Sequence, residues 1–196
     1  MARFLGSKAK LSRSLGVNVF GLPKIDNIIA KRAGKNKFFK KRSEYGMQLR
    51  EKQIARHTFG LSEKQFKMYY KKAVKSANIT GEELIRQIEL RVDNIIYRAG
   101  LAVSRTQARQ MISHGNFLLN GRKITIPSIQ VKKGDVLSLR DKLKKSSLFE
   151  NLDIKPMFKW LKGDNKGKSV EIVEIPNADE MEQSIKTHLI IEYYSR

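Results

Sequence analysis

The chain has 196 residues, 40% apolar and 30% charged, with forty Lys and Arg against nineteen Asp and Glu for a formal net charge of +21. A surplus of that size repels itself and is most simply explained by a polyanionic partner; an enzyme of small neutral substrates does not need it. The absence of cysteine excludes disulfides and thiolate metal sites, and His57, His114 and His188 are too scattered to form a ligand set, so no metal is expected.

The charge is unevenly spread. Residues 1–42 hold twelve basic residues and one acid (+11), residues 43–88 nine and five (+4), residues 89–140 nine and three (+6), and residues 141–196 ten and ten (0). The positive field therefore covers the first three quarters, and the neutral last quarter suits a protein neighbour. No run approaches eighteen apolar residues, and Met1–Gly6 lacks the long apolar region of a signal peptide, so a chain that stays in the compartment where it is made is expected, with no membrane association.

Residues 1–42 read as a basic N-terminal arm. Gly6, Gly16, Gly21 and Gly34 punctuate it, and Lys35–Arg42 interleaves Phe38 and Phe39 with cations, a composition that orders on nucleic acid through phosphate contacts and stacking. From Glu44 to about Ala77, apolar residues including Met47, Ile54, Phe59, Phe66, Tyr69 and Val74 follow helical spacing. Gly60 separates two helices, and Ser62-Glu63-Lys64-Gln65 forms a capping box. A further helix begins at Thr80-Gly81-Glu82-Glu83.

Residues 89–140 form the most informative stretch. Ile85, Ile88, Val92, Ile95, Ile96 and Ala99 predict one helix with a single buried stripe, capped by a left-handed Gly100. Ser104 with Gln107 predicts the start of a second helix, Val103 stapling on Ala108. Its core face is Ala108, Met111 and Ile112, which leaves Arg105 and Arg109 projecting together from the opposite face, and Gly115 closes the helix after His114. Asn120-Gly121 between Phe117-Leu118-Leu119 and Arg122-Lys123-Ile124 predicts a type I′ hairpin, because both turn positions need positive φ. That puts Arg122 and Lys123 at the tip. Lys132-Lys133-Gly134-Asp135 turns into a half-buried strand over Val136–Arg140. Guanidinium groups one helical turn apart, with Cβ atoms roughly 5–6 Å apart, suit adjacent backbone phosphates. The surface points to RNA, with His114 reading either as a helix-end histidine near the negative dipole or as an RNA contact.

After Arg140, Pro156, Gly163, Gly167 and Pro176 break the chain into short pieces, and Met157–Leu161 is apolar enough to pack on the helical domain, with Trp160 in a core. Residues 185–194 fit a helix or a strand. The expected fold class is α+β: a discontinuous, mainly helical domain (43–88, with 141–196 packing on it), a small two-helix and β-hairpin RNA-binding domain (89–140), and the arm (1–42).

These residues also resemble a known family. Leu90–Gly100, Ser104–Gln110, His114-Gly115 and Asn120-Gly121-Arg122 are similar to the RNA-binding domain of the small-subunit ribosomal protein four family, in its cysteine-free type. Met1–Gly6 with Lys10–Arg13, Ser43–Gln53 and His188–Arg196 extend the likeness over nearly the whole chain. The resemblance implies a non-enzymatic, primary small-subunit rRNA binder at a multi-helix junction of the 5′ domain. It would nucleate assembly of the subunit body and line the mRNA entrance, affecting translational accuracy. Implied partners are that rRNA, mRNA, and small-subunit protein five through the C-terminal region, with no homo-oligomer and no cofactor, on a bacterial or organellar ribosome. By position, Arg3, Lys10, Arg13, Tyr45, Gln48, Arg50, Lys52, Gln53 and Arg56 would contact rRNA from the helical side, and Arg105, Arg109, Gln110, His114, Arg122 and Lys123 from the module. Lys40, Lys41 and Arg42 would lie nearest the mRNA. The family's Pro-Gly-Gln-His-Gly loop is replaced here by Arg32–Lys37.

The rival reading is an RNA-modifying enzyme of pseudouridine synthase type carrying the same module, since Arg91-Val92-Asp93 superficially resembles that class's catalytic Arg-Leu-Asp. The tripeptide lies in the module's first helix, where Asp93 suits an ion pair with a neighbouring base. No Gly-rich phosphate loop, Ser-His-Asp set or clustered acid pair accompanies it.

Overall fold

Four serines start helices in the same way. Each hydroxyl accepts the backbone N–H three residues on, satisfying a donor the helix cannot: Ser7 from Lys10 (3.3 Å), Ser43 from Gly46 (3.2 Å), Ser62 from Gln65 (3.3 Å) and Ser104 from Gln107 (3.2 Å). In the computed structural model, which describes residues 4–33, 43–144, 146, 149, 154, 156–182 and 184–196, the chain forms two units, Met1–Leu84 with Glu182–Arg196, and Ile85–Met181.

The first unit contains α1 (Lys8–Leu15), α2 (Pro23–Ala33), α3 (Glu44–Thr58), α4 (Glu63–Val74), the start of α5 (Thr80–Glu89) and, from the far end of the chain, α9 (Thr187–Ser195). Residues 4–33 are therefore not an unstructured arm. Leu11, Leu15 and Val19 recur at helical spacing and pack with Phe20 on Ile54 of α3, so even a strongly basic segment carries one apolar stripe that folding can bury. Arg50 of α3 donates to the Leu15 carbonyl, closing the end of α1. The segment at 185–194, open between helix and strand by pattern, is helical and buries Ile190. On α3 the inward face is Gln48, Glu51, Lys52, Ile54 and Ala55, whereas Met47, expected in the stripe, is 46% exposed.

The second unit takes the rest of α5, then α6 (Val92–Arg98), α7 (Arg105–Ser113), strands β1 (Phe117–Leu119), β2 (Arg122–Ile124) and β3 (Val136–Leu139), the short α8 (Asp141–Lys144), β4 (Leu161–Asp164) and β5 (Ser169–Ile172). The single helix expected over 85–99 is two. Arg91 is extended (φ −74°, ψ 140°) and bridges Gln130, while Val92 N–H donates to the Ile129 carbonyl and Val131 N–H to that of Leu90, so pairing with a passing segment interrupts the helix. Gly100 (φ +79°) and Gly115 (φ +71°) follow α6 and α7 in the left-handed region, and Asn120 (φ +49°) with Gly121 (φ +78°) makes the hairpin turn. Asn120 also holds the hairpin to β3, donating to Asp135 and accepting from Val136 N–H, both at 2.8 Å.

All strand pairings are antiparallel, in the order β2-β1-β3-β5-β4. This divides the expectation that 141–196 packs on the helical domain: residues 182–196 do, α9 lying on α3, whereas 161–172 join the module's sheet. β3, paired with β1 on one side, would leave its other edge bare, and β5 fills it with β4 outside. Trp160, Leu161, Val170 and Ile172 are buried in one core with Val92, Ile96, Ala108, Ile112, Phe117 and Leu137. The division of the chain accordingly falls inside α5 and at 181/182 instead of at 88/89 and 140/141.

Candidate nucleic-acid interface

In the second unit, α7 buries Ala108, Met111 and Ile112, which turns Arg105 and Arg109 toward the side chains of α6. Arg105 Nε donates to Asn94 Oδ1 (2.7 Å) with its guanidinium 4.5 Å from the Tyr97 ring centroid, and Arg109 Nε donates to Asp93 Oδ2 (2.8 Å). The two arginines are half-buried, not projecting freely as expected. A buried carboxylate stripped of a cationic partner costs about 3–5 kcal/mol, so Asp93 holds Arg109 inward, while Asn94 and the Tyr97 ring hold Arg105. Asp93 also accepts from Arg91, bearing out the ion pair expected of it, and Glu89 accepts from Arg98 (Nη2 2.6 Å) and Asn94. Arg98 lies 4.9 Å from the Phe158 centroid. Val103 makes no staple: its N–H donates to Gln107 Oε1 (2.8 Å) and its side chain is 85% exposed.

The rim beyond this network is cationic and open. Gln110, His114, Arg122 and Lys123 are exposed. A Cβ at Gly115 would run into the Lys123 side chain, so the lysine stem lies across the end of α7, where Arg140 donates to the Gly115 carbonyl (3.4 Å). Cations gathered at a helix C-terminus meet the negative end of its dipole. The turn lysines Lys132 and Lys133, absent from the expected set, are exposed as well.

In the first unit the sites expected on α3 divide. Gln48 is buried and donates to Glu192 (3.0 Å). Lys52 is buried, donates to Glu63 Oε1 (2.9 Å) and stands 4.5 Å from the Tyr193 ring centroid. Both face inward, against the expectation of RNA contact, because α9 covers their side of α3. Burial raises the Glu63 carboxyl, but hydrogen bonds from Lys52 and Tyr194 with the charges of Lys52 and Arg56 outweigh it and hold it below the usual range. Burial first, and then Glu63, push the Tyr194 phenol up; it stays protonated and donates to Glu63 (2.9 Å). Arg56 lies 2.7 Å from His57 Nε2 and 3.8 Å from Glu63. Since a guanidinium can only donate, that ring nitrogen is the acceptor and His57 is neutral, in accord with a pKa pushed down to about 4 by burial and by the Arg56 charge. Gln53 and Arg13 are half-buried, and Lys10 is exposed. Tyr45 is also exposed, its ring 5.7 Å from that of Tyr193, whose hydrogen bond raises the Tyr45 phenol. Arg3, Lys40, Lys41 and Arg42, with Phe38 and Phe39, lie outside the described residues.

Among the described residues no group of three or more His, Asp or Glu could hold a metal ion, and no helix is long and apolar enough to cross a membrane. Comparison with known proteins gives two family matches, "Ribosomal protein S4/S9 N-terminal domain" over residues 3–89 and "S4 domain" over residues 90–137. Among curated proteins, the chain is 42% identical to the small ribosomal subunit protein uS4 of Acetivibrio thermocellus, 43% to that of Persephonella marina and 38% to that of Rubrobacter xylanophilus. In each case 100% of both chains is covered.

Proposed function

The chain belongs to the uS4 family of small ribosomal subunit proteins, and on that premise we propose how it works there. It is an rRNA-binding ribosomal component and not an enzyme. It recognises a folded small-subunit rRNA junction of the 5′ domain by shape, early in assembly, through two basic surfaces. One is the α7 and hairpin face of Arg105, Arg109, Gln110, His114, Arg122 and Lys123; the other is the helical face of Lys10, Arg13, Tyr45, Gln53 and Arg56. Lys40, Lys41 and Arg42 contact mRNA at its entrance, which affects accuracy. The charge-neutral 141–196, with Val173 and Ile175 exposed, faces small-subunit protein five. The observation that carries the reading is the pair Arg105 and Arg109, held one turn apart on α7 beside an exposed cationic hairpin.

Titration of a 5′-domain rRNA transcript tests it. Arg109→Ala should weaken binding by about 1.5–3 kcal/mol, the range for hydrogen bonds to charged groups. Log affinity should fall linearly with log salt. An unchanged affinity removes Arg109 from the site, and a flat salt response removes phosphate-led binding altogether. Crosslinking in cells gives the wider check: one small-subunit junction supports the reading, dispersed modification sites the rival enzyme.

A further inference from the structure

The exposed face of α7 is tied to a carboxylate shielded from solvent. Asp93 is 2% exposed and accepts from Arg91 on both oxygens, Nε to Oδ1 at 3.0 Å and Nη2 to Oδ2 at 2.8 Å. The same Oδ2 accepts from Arg109 Nε at 2.8 Å and Nη2 at 2.5 Å. Arg91 is itself fixed, its backbone bridged to Gln130, with Val92 N–H donating to Ile129 (2.9 Å) and Asp93 N–H to Pro127 (3.3 Å). Restraint thus passes from the backbone of residues 127–130, through Arg91 and Asp93, to a guanidinium whose side chain is 20% exposed while its two companions are 2% exposed. A planar fork gripped along its Nε–Nη2 edge has a set plane and little rotamer freedom left to lose on binding.

We propose that Asp93 is a positioning residue for RNA binding: a buried acid that sets the guanidinium plane of Arg109 for a backbone phosphate and so raises the affinity of this cationic chain for a polyanion. The proposal rests on the reading of α7 as an RNA-binding face. Its sign is diagnostic. Removing a negative charge near phosphate strengthens binding when charge alone counts, and weakens it when the charge acts by aiming an arginine.

The experiment is filter binding of the full chain to a small-subunit 5′-domain rRNA transcript across a salt series, for wild type, R109A, D93N, R109K and the R109A/D93N pair. Thermal melts fix the temperature at which each is folded. R109A should lose about tenfold or more in affinity, as expected for a hydrogen bond to a charged group. Its slope of log affinity against log salt should be shallower by about 0.7–0.9, one phosphate's worth. D93N should lose affinity and slope in the same direction, and should cost nothing further in the R109A background, a coupling that general loosening of the fold would not produce. R109K keeps the charge but not the fork and should bind nearly as weakly as R109A; it decides the matter if D93N does not fold. Wild-type or tighter binding by D93N or R109K, with R109A weakened, overturns the role of Asp93 while leaving the RNA face intact. R109A binding like wild type overturns both.

Discussion

Helices α3 and α7 carry the same kind of sequence, polar and cationic residues interspersed with a thin apolar stripe, yet the fold spends them differently. On α3 the amide of Gln48 and the ammonium of Lys52 turn inward under α9, engaged by Glu192 and Glu63 and by the ring of Tyr193. On α7 the arginines are gripped on one edge by Asp93 and Asn94 and remain partly open. Basic residues at helical spacing therefore do not by themselves mark a ligand surface. What separates a cation that holds the protein together from one left open to a ligand is whether another element covers it.

The largest effect should come from the apolar core beneath α7. Ile96→Ala, at a fully buried position, should cost about 2–5 kcal/mol, read as a lower urea midpoint of the fluorescence of Trp160, the chain's single tryptophan, which lies in that same core. A shift under 1 kcal/mol would mean the core is not the shared one described.

Lys52→Ala sharpens the contrast between the helices. It should lower stability by about 1.5–3 kcal/mol through loss of a charged hydrogen bond, with the salt slope of RNA binding unchanged. A shallower slope at full stability would return Lys52 to the RNA surface.

Arg122→Ala is the converse case, an exposed residue with little to do for the fold. It should weaken RNA binding by about 1 kcal/mol with a slope shallower by about 0.7–0.9, and leave the melting curve alone. The smallest effect is expected from His57. The unfolded chain takes up its proton near the ordinary imidazole value of 6.5 and the folded chain only near 4, so protons favour unfolding and this contribution to stability is lost as pH falls through that window. A pH series of melts should show the decline between those values, and His57→Gln should flatten it; an identical profile in the variant would assign the decline to the carboxylates.

Much of the local structure was legible because it is governed by neighbours in the chain. The cap at Ser104, Gly100, Gly115, the Asn120-Gly121 turn and the capping box at Ser62 each depend on a few consecutive residues, and the structure has them all. The errors share a cause of the opposite kind. The break at Leu90-Arg91 needs the backbone of residues 129–131, the inward turn of Lys52 needs a helix more than 130 residues away, and the grip of Asp93 on Arg109 spans sixteen positions. No periodicity carries such distances.

The sequence by itself determined the class of partner, the α+β composition, the caps and turns and the exposed hairpin cations, because net charge, helix periodicity and turn stereochemistry are properties of short segments or of bulk composition. Only the tertiary structure decided which arginines and lysines are left for a ligand, and that residues 161–172 complete the module's sheet instead of covering the helical domain. Burial and edge pairing are set by whichever element arrives to cover a surface, and a chain read residue by residue does not say which one will.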